Sequence, residues 1–91
     1  METLGLIAGN GIYPRTVAAA ARRAGVGRVV AAAFTGETDP ALAGQLDAVE
    51  WLRVGQLSRM IRFFRGQGVA EAMMVGQISP RNLFELRPDL K

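Results

Sequence analysis

Three residues near the start of the chain, Gly9, Asn10 and Gly11, have the types and spacing that suit phosphate binding. They follow the apolar run of residues 3–8 and stand just before Pro14, and proline often opens a helix. Two glycines leave the main chain bare, so its N–H groups can approach an anion at the helix start. The same residues also suit a plain tight turn from strand to helix. From these residues alone both interpretations stay open.

A second glycine loop is similar to the first. Gly76 and Gln77 follow the apolar run of residues 71–75, and Ser79 and Pro80 then match an N-cap with proline at the first helical position. The side chains of Gln77 and Ser79 carry groups that hydrogen-bond a phosphate, a ribose or a base. Two such loops side by side would form one anion-binding edge.

The pattern departs from the standard dinucleotide fingerprint in two places. Pro14 stands where Gly-x-Gly-x-x-Gly has its third glycine. Phe34 and Thr35 occupy the region where an acidic residue would hold the ribose, and Glu37 comes a little later. The sequence therefore does not favour a standard NAD site.

Charged residues supply further candidates, each with a structural alternative. Glu37 and Asp39 suit a metal ion or a ribose hydroxyl, although such residues more often form turns and caps. Arg53 suits a phosphate at the end of the third strand, or is simply a solvated arginine there. A basic strip on the second helix suits solubility or contact with anionic lipid, and comprises Arg59, Arg62 and Arg65.

Composition excludes several classes of function. The chain has 91 residues, of which 49% are hydrophobic, and it contains neither histidine nor cysteine. Ser-His-Asp catalysis, histidine metal clusters and disulfides are therefore excluded within this chain. The net charge is only +3, and the arginines are spread from Arg15 to Arg87, so no nucleic-acid partner is expected.

Hydrophobic periodicity predicts strands that alternate with helices. The strands are expected over residues 3–8, 28–34, 47–54 and 71–75. Helices are expected from Pro14, after Gly55 and Gln56, and over residues 81–87, with one helical turn near residues 41–45. The apolar stripe of the first helix is expected to be Val17, Ala20, Ala21 and Ala24. That of the second helix is expected to be Leu57, Met60, Ile61 and Phe64.

This order of elements predicts an α/β fold, a Rossmann-like three-layer domain around a four-stranded, mainly parallel sheet. Right-handed crossovers favour the strand order 3-2-1-4. The order then reverses between strands 1 and 4, which places both glycine loops where such sheets bind ligands. Residues 1–91 are expected to form one domain, the N-terminal part of a longer protein.

Four motifs in their order and spacing carry a family resemblance: LGLIAGNGIYP, FTGETDP, WLRVGQLSRMIRFFR and AMMVGQISPRNLF. Together they resemble the N-terminal domain of UDP-2,3-diacylglucosamine pyrophosphatase of the LpxI type, over essentially all 91 residues. The resemblance implies a hydrolase of lipid A synthesis that cleaves UDP-2,3-diacylglucosamine to lipid X and UMP. It also implies attack of water on the α-phosphorus with help from a divalent metal, for which Mg²⁺ is expected.

The resemblance further implies a division of work between two domains. The catalytic acidic residues of the family belong to a C-terminal domain that these residues do not include, so no catalytic residue and no metal ligand is assigned. The chain alone is expected to bind no metal and to have little or no hydrolase activity. The residues expected to help hold the nucleotide diphosphate are Gly9, Asn10, Gly11, Thr38, Gly55, Gln56, Gly76, Gln77 and Ser79.

The expected partners are the UDP-linked diacylated glucosamine, the C-terminal domain of the same chain and a second copy in a homo-oligomer. Oligomers are expected because removal of a partner domain exposes apolar surface. The lack of cysteine and of a secretory signal fits a cytoplasmic protein, with peripheral contact at the cytosolic face of the inner membrane. Two alternatives are a free-standing nucleotide- or phosphate-binding module and an interaction domain whose glycine loops only turn.

Overall fold

The architecture was obtained as a computed structural model, in which residues 2–78 are described. In chain order, the strands and helices are β1 (Thr3–Ala8), α1 (Tyr13–Arg23), β2 (Arg28–Phe34), a short 3-10 helix (Pro40–Gln45), β3 (Ala48–Leu52), α2 (Leu57–Gly66) and β4 (Glu71–Val75). The helix predicted over residues 81–87 lies outside the described part of the chain, as does Ser79.

All four strands are parallel and lie in the order β3-β2-β1-β4, which confirms the predicted α/β fold and strand order. Thr3 of β1 aligns with Arg28 of β2, and Leu4 of β1 aligns with Glu71 of β4. The two central strands are β1 and β2. After Arg28 every residue of β2 is buried, because helices cover both faces of a central parallel strand.

The larger core lies between the sheet and α1. On this face, small residues of α1 let the helix approach the sheet closely, and the 3-10 helix adds a fully buried leucine, Leu42. The buried members of this cluster are Leu4, Leu6, Ala8, Ala18, Ala21, Val29, Ala31, Leu42 and Val75. This packing fixes where α1 begins relative to the end of β1.

The opposite face carries a smaller core under α2. Ala32, Phe34 and Leu52 are buried there, and Met60 and Phe64 of α2 pack against them. Gly5 makes room for α2, since a Cβ atom at this position would lie 3.1 Å from the Phe64 ring. The layers on the two faces give the three-layer arrangement that the element order predicts.

The predicted stripe of α1 needs correction. The buried residues of this helix are Pro14, Ala18 and Ala21, whereas Ala20 and Ala24 are exposed. Ala20 lines an open groove beside β4 instead of facing a packed layer, and Ala24 is the C-cap residue, beyond the last turn of the helix. The helical spacing of the apolar residues was predicted correctly. The buried face of α1, however, is rotated about the helix axis by about one residue relative to the predicted stripe.

The stripe of α2 is also only partly confirmed. Met60 and Phe64 pack against the core, but Leu57 is 60% exposed and Ile61 is 41% exposed. Nothing among residues 2–78 covers this side of α2. The third strand is shorter than the predicted residues 47–54. At its start the Asp47 carboxylate accepts a hydrogen bond from the Val29 N–H, and at its end the chain enters a turn at Val54 and Gly55.

β4 is an edge strand with apolar side chains on both faces. Met73 aligns with Leu6 on the α1 face, and Met74 aligns with Ile7 on the α2 face. Their exposed fractions are 44% and 70%. Within the described residues, β4 pairs only with β1, so the main-chain groups on its outer side have no strand partner there.

Candidate functional site

The loops that follow the four strands all lie at the carboxyl edge of the sheet, because the strands are parallel. The loop after β1 holds Gly9, Asn10 and Gly11, and the loop after β4 holds Gly76 and Gln77. These two loops are neighbours, since β1 and β4 are adjacent. The structure thus brings Gly9, Asn10 and Gly11 together with Gly76 and Gln77, five of the residues in which the sequence predicts a phosphate-binding edge.

Main-chain hydrogen bonds join the two glycine loops. The N–H of Gly9 donates to the carbonyl of Val75 over 2.8 Å, and the N–H of Asn10 donates to the carbonyl of Gln77 over 2.6 Å. The second bond belongs to a short antiparallel bridge between Asn10 and Gln77, beyond the end of the parallel ladder. The two loops therefore form one hydrogen-bonded unit.

Two of the glycines are required for this close approach. A Cβ atom at Gly9 would collide with the main chain of Gln77, and one at Gly76 would lie 2.5 Å from the Asn10 carbonyl oxygen. Gly76 also has a φ of +88°, which side-chain-bearing residues rarely adopt. A tight junction of two loops thus explains Gly9 and Gly76 without a ligand.

Gly11 differs from these two glycines. Its φ is +87°, but a Cβ atom there would meet nothing within 4 Å. The bare main chain at Gly11 faces open space at the start of α1. Within residues 2–78, the N–H groups of Gly11, Ile12 and Tyr13 donate to no protein acceptor. These are the donors that a helix start offers to an anion.

An open cleft of about 460 Å³ lies between the two loops. Its lining consists of Asn10, Gly11, Ile12, Tyr13, Gly76 and Gln77. The side chains of Ile12 and Tyr13 are largely exposed there, and the sequence reasoning missed both of them. The sequence carries no signal for them, because whether apolar side chains at a helix start are exposed depends on the tertiary packing around them.

The loop after β2 reaches the first glycine loop through two side chains. Asn10 Nδ2 donates to Glu37 Oε1 over 3.1 Å. Thr38 is buried, and its hydroxyl donates to the Ala8 carbonyl over 2.7 Å and accepts from the Phe34 N–H over 2.8 Å. The hydroxyl proton of Thr38 is therefore engaged inside the protein. The expected role of Thr38 in holding the nucleotide diphosphate stays a prediction.

Gly55 and Gln56 lie at the same edge of the sheet, but at the end of β3, on the far side of β2. Gly55 has a φ of +102°, which glycine adopts easily. Gln56 precedes α2, and its Oε1 accepts from the Arg53 N–H over 2.8 Å. Neither residue lines the cleft between the glycine loops, so the structure does not join them to it.

Arginine side chains flank the carboxyl edge. Arg53 is exposed at the end of β3. Arg15, in the first turns of α1, lies 3.6 Å from the Asp39 carboxylate, with both side chains nearly half exposed. An exposed ion pair of this length contributes little to stability, so Arg15 can turn to another anion at small cost. The sequence reasoning did not single out Arg15.

A larger apolar groove of about 650 Å³ lies elsewhere, between α1 and β4. It is lined by residues from the amino-terminal halves of the strands, among them Leu4 and Glu71, together with Val17 and Ala20. Its size does not make it the site, because parallel sheets bind ligands at the carboxyl edge and this groove lies away from that edge.

The described residues do not fit a divalent metal ion. Residues 2–78 contain no group of three or more acidic side chains that could hold one. Of the two carboxylates nearest the glycine loops, Glu37 accepts from Asn10, and Asp39 accepts from the Ala41 N–H and pairs with Arg15. No chemical step is therefore assigned to a metal held by these residues.

The family model of the LpxI N-terminal domain matches residues 3–91. The chain belongs to the LpxI N-terminal domain family. Membership supports involvement in lipid A synthesis and confirms the family that the four motifs resemble. No curated protein and no solved structure matches the chain in the other two comparisons. No helix among residues 2–78 has the length and apolar character needed to span a bilayer.

Proposed function

We propose that this LpxI N-terminal domain helps to hold the nucleotide diphosphate of UDP-2,3-diacylglucosamine in a pyrophosphatase that forms lipid X and UMP. The observation that carries this proposal is the cleft between the two glycine loops at the start of α1. There, the N–H groups of Gly11, Ile12 and Tyr13 have no protein acceptor within residues 2–78. Family membership supports the pathway, and the cleft supports the role in binding.

The chemistry of the cleft suits a diphosphate. Unpaired N–H groups at a helix start and the positive end of the helix dipole both favour negative charge. Gly11 leaves that main chain accessible, and the Gln77 side chain at the cleft can bond a phosphate, ribose or base. Arg15 and Arg53 add positive charge at the same edge. Binding and charge stabilisation are thus the work that these residues can perform.

Catalysis is proposed to need more than these residues. The described part of the chain has no carboxylate cluster for a metal, so the divalent ion of the complete enzyme, expected to be Mg²⁺, is proposed to lie in a second, C-terminal domain. The 91-residue chain alone is then expected to hydrolyse little or no substrate. A cytoplasmic location, with contact at the inner-membrane surface to reach the lipid, is part of the same proposal.

A two-dimensional amide NMR titration of the chain with UDP tests the proposal, with ADP as the control nucleotide. We expect UDP to shift the amide signals of Gly9, Gly11, Gly76 and Gln77, and ADP to shift them less. Absence of any shift with millimolar UDP would contradict a preformed site in this chain. Equal shifts with UDP and ADP would favour the alternative of a general nucleotide- or phosphate-binding module.

Activity provides the second test. Purified chain is incubated with UDP-2,3-diacylglucosamine and Mg²⁺, and UMP release is measured. We expect a rate near that of the reaction without protein. Turnover near that of a complete LpxI enzyme would show that residues of this chain suffice for catalysis, which is the opposite of the proposed division of work.

A further inference from the structure

Thr38 is a buried polar residue whose hydroxyl bonds only to main-chain groups among residues 2–78. Its exposed fraction is 4%. The hydroxyl donates its one proton to the Ala8 carbonyl over 2.7 Å and accepts from the Phe34 N–H over 2.8 Å. Because a hydroxyl has a single proton to donate, Thr38 has none left for a phosphate oxygen.

The two partners of Thr38 are the last residues of adjacent strands. Ala8 ends β1 and directly precedes Gly9, and Phe34 ends β2. The Thr38 hydroxyl therefore ties the ends of β1 and β2 together at the carboxyl edge. The main chain of Thr38 is fixed as well, since its N–H donates to the Phe34 carbonyl over 2.9 Å.

The neighbouring residue in the chain makes a second contact with the same glycine loop. Glu37 Oε1 accepts from Asn10 Nδ2 over 3.1 Å. Residues 37 and 38 thus hold the first glycine loop at two points, one just before Gly9 and one at Asn10. On its other side, this loop is held by the carbonyls of Val75 and Gln77.

We infer that Thr38 is a positioning residue for nucleotide binding, one that sets the place of the Gly9–Gly11 loop without touching the ligand. This inference rests on the proposed function, and it changes the role expected for Thr38 from a direct contact to an indirect one. Loss of the hydroxyl leaves the Ala8 carbonyl and the Phe34 N–H short of a buried partner, so the end of β1 has to move. The N–H groups that bind an anion then move with it, and such binding is sensitive to small displacements.

The test compares Thr38→Val, which keeps the shape and removes the hydroxyl, with Thr38→Ser, which keeps the hydroxyl. Thr38→Ala removes the hydroxyl with less crowding and serves if valine prevents folding. The matched control is Asp47→Asn, which weakens contacts at the opposite edge of the sheet, where Asp47 accepts from the Val29 N–H. Two quantities are measured in each variant: the Kd for UDP, and hydrogen exchange of the Gly9 and Asn10 amides.

We expect Thr38→Val to raise the Kd for UDP by about tenfold or more. Exchange of the Gly9 and Asn10 amides should also become about tenfold faster than in Asp47→Asn. Thr38→Ser should restore both quantities to near those of the unaltered chain. If Thr38 only stabilises the fold, Thr38→Val and Asp47→Asn should have the same Kd for UDP when the two variants are compared at equal free energy of unfolding.

Two results would overturn the inference. One is unchanged exchange of the Gly9 and Asn10 amides in the hydroxyl-free variants. The other is an equal loss of UDP binding in Thr38→Ser and Thr38→Val, since the hydroxyl would then not be the cause. If the unaltered chain binds no UDP, the proposed function fails, whereas the exchange measurement still decides whether Thr38 positions the loop.

Discussion

The N–H of Asn10 donates to the carbonyl of Gln77 over 2.6 Å, which joins the loop after β1 to the loop after β4 beyond the end of the sheet. This bond crosses the point where the strand order reverses. The bond uses only main-chain atoms, so it leaves the side chains of Asn10 and Gln77, two residues that line the cleft, free of this junction. The two loops that line the cleft are thus held together by the main chain of the protein itself.

Gly76→Ala is expected to destabilise the chain by about 2 kcal/mol or more. The added Cβ atom would lie 2.5 Å from the Asn10 carbonyl oxygen, and the residue has a φ of +88°. Urea denaturation followed by circular dichroism measures the change. The matched control is Gly44→Ala, where a Cβ atom meets nothing within 4 Å and φ is not positive. Equal stability of the two variants would contradict the close approach of the loops.

Gln77→Ala is expected to weaken UDP binding about fivefold while leaving the melting temperature almost unchanged. The exposed side chain lines the cleft, but the bond from Asn10 uses the main-chain carbonyl, which alanine retains. NMR titration gives the Kd, and thermal denaturation gives the melting temperature. Ser58→Ala, on the exposed part of α2, is the control and should change neither. A large fall in melting temperature for Gln77→Ala would mean that its side chain supports the fold.

The sheet was predictable from the sequence because its signals are local and periodic. The fully apolar β2 after Arg28 indicated a central strand, and glycines and prolines marked the element ends. The choice between a turn and a ligand loop was not predictable from Gly-Asn-Gly. That choice depends on which atoms lie next to each glycine in the folded protein. The main chain packed against Gly9 is that of Gln77, which is distant in the sequence.

The covered part of each helix could be predicted only roughly. Periodicity identifies the apolar stripe of a helix, but it does not show how far the sheet extends beneath that stripe and therefore which of its residues are covered. Ala20 and Leu57 belong to predicted stripes, yet both are exposed, and Ala20 lines the groove beside the edge strand β4. The burial of Thr38 was likewise hidden, since its two partners, Ala8 and Phe34, meet it only after the strands pair.

Met74→Lys is expected to reduce self-association of the chain. Met74 is 70% exposed on an edge strand that also exposes Met73, and such strands and apolar patches favour association with another copy. Sedimentation velocity over a range of concentrations measures the oligomeric state. We expect the unaltered chain to form dimers or larger species and the variant to shift toward monomer. Arg62→Lys, on exposed α2, is the control. A monomeric unaltered chain at all concentrations would contradict this prediction.

The Asp47 carboxylate is expected to make stability depend on pH in the acid range. Its pKa is lowered from the usual 3.8, chiefly by the hydrogen bond from the Val29 N–H. Burial is the second-largest effect and opposes this shift, whereas the charge and hydrogen bond of Arg22 and the charge of Arg28 lower the pKa further. A lowered pKa means that the folded state prefers the charged form. The contribution of Asp47 is therefore fully present above the pKa of the unfolded chain and is lost as pH falls through the lower folded value.

Unfolding free energies of the unaltered chain and of Asp47→Asn, measured by urea denaturation from pH 6 down to about pH 2, test this expectation. The difference between them should be constant near neutral pH and shrink as the carboxylate is protonated. Asp39→Asn is the comparison, since Asp39 lies in a longer, exposed pair with Arg15 and should give a smaller difference. If the difference in unfolding free energy between the two proteins grew toward low pH, the carboxylate would destabilise the fold when charged. That result would contradict the stabilising role of the hydrogen bond from the Val29 N–H.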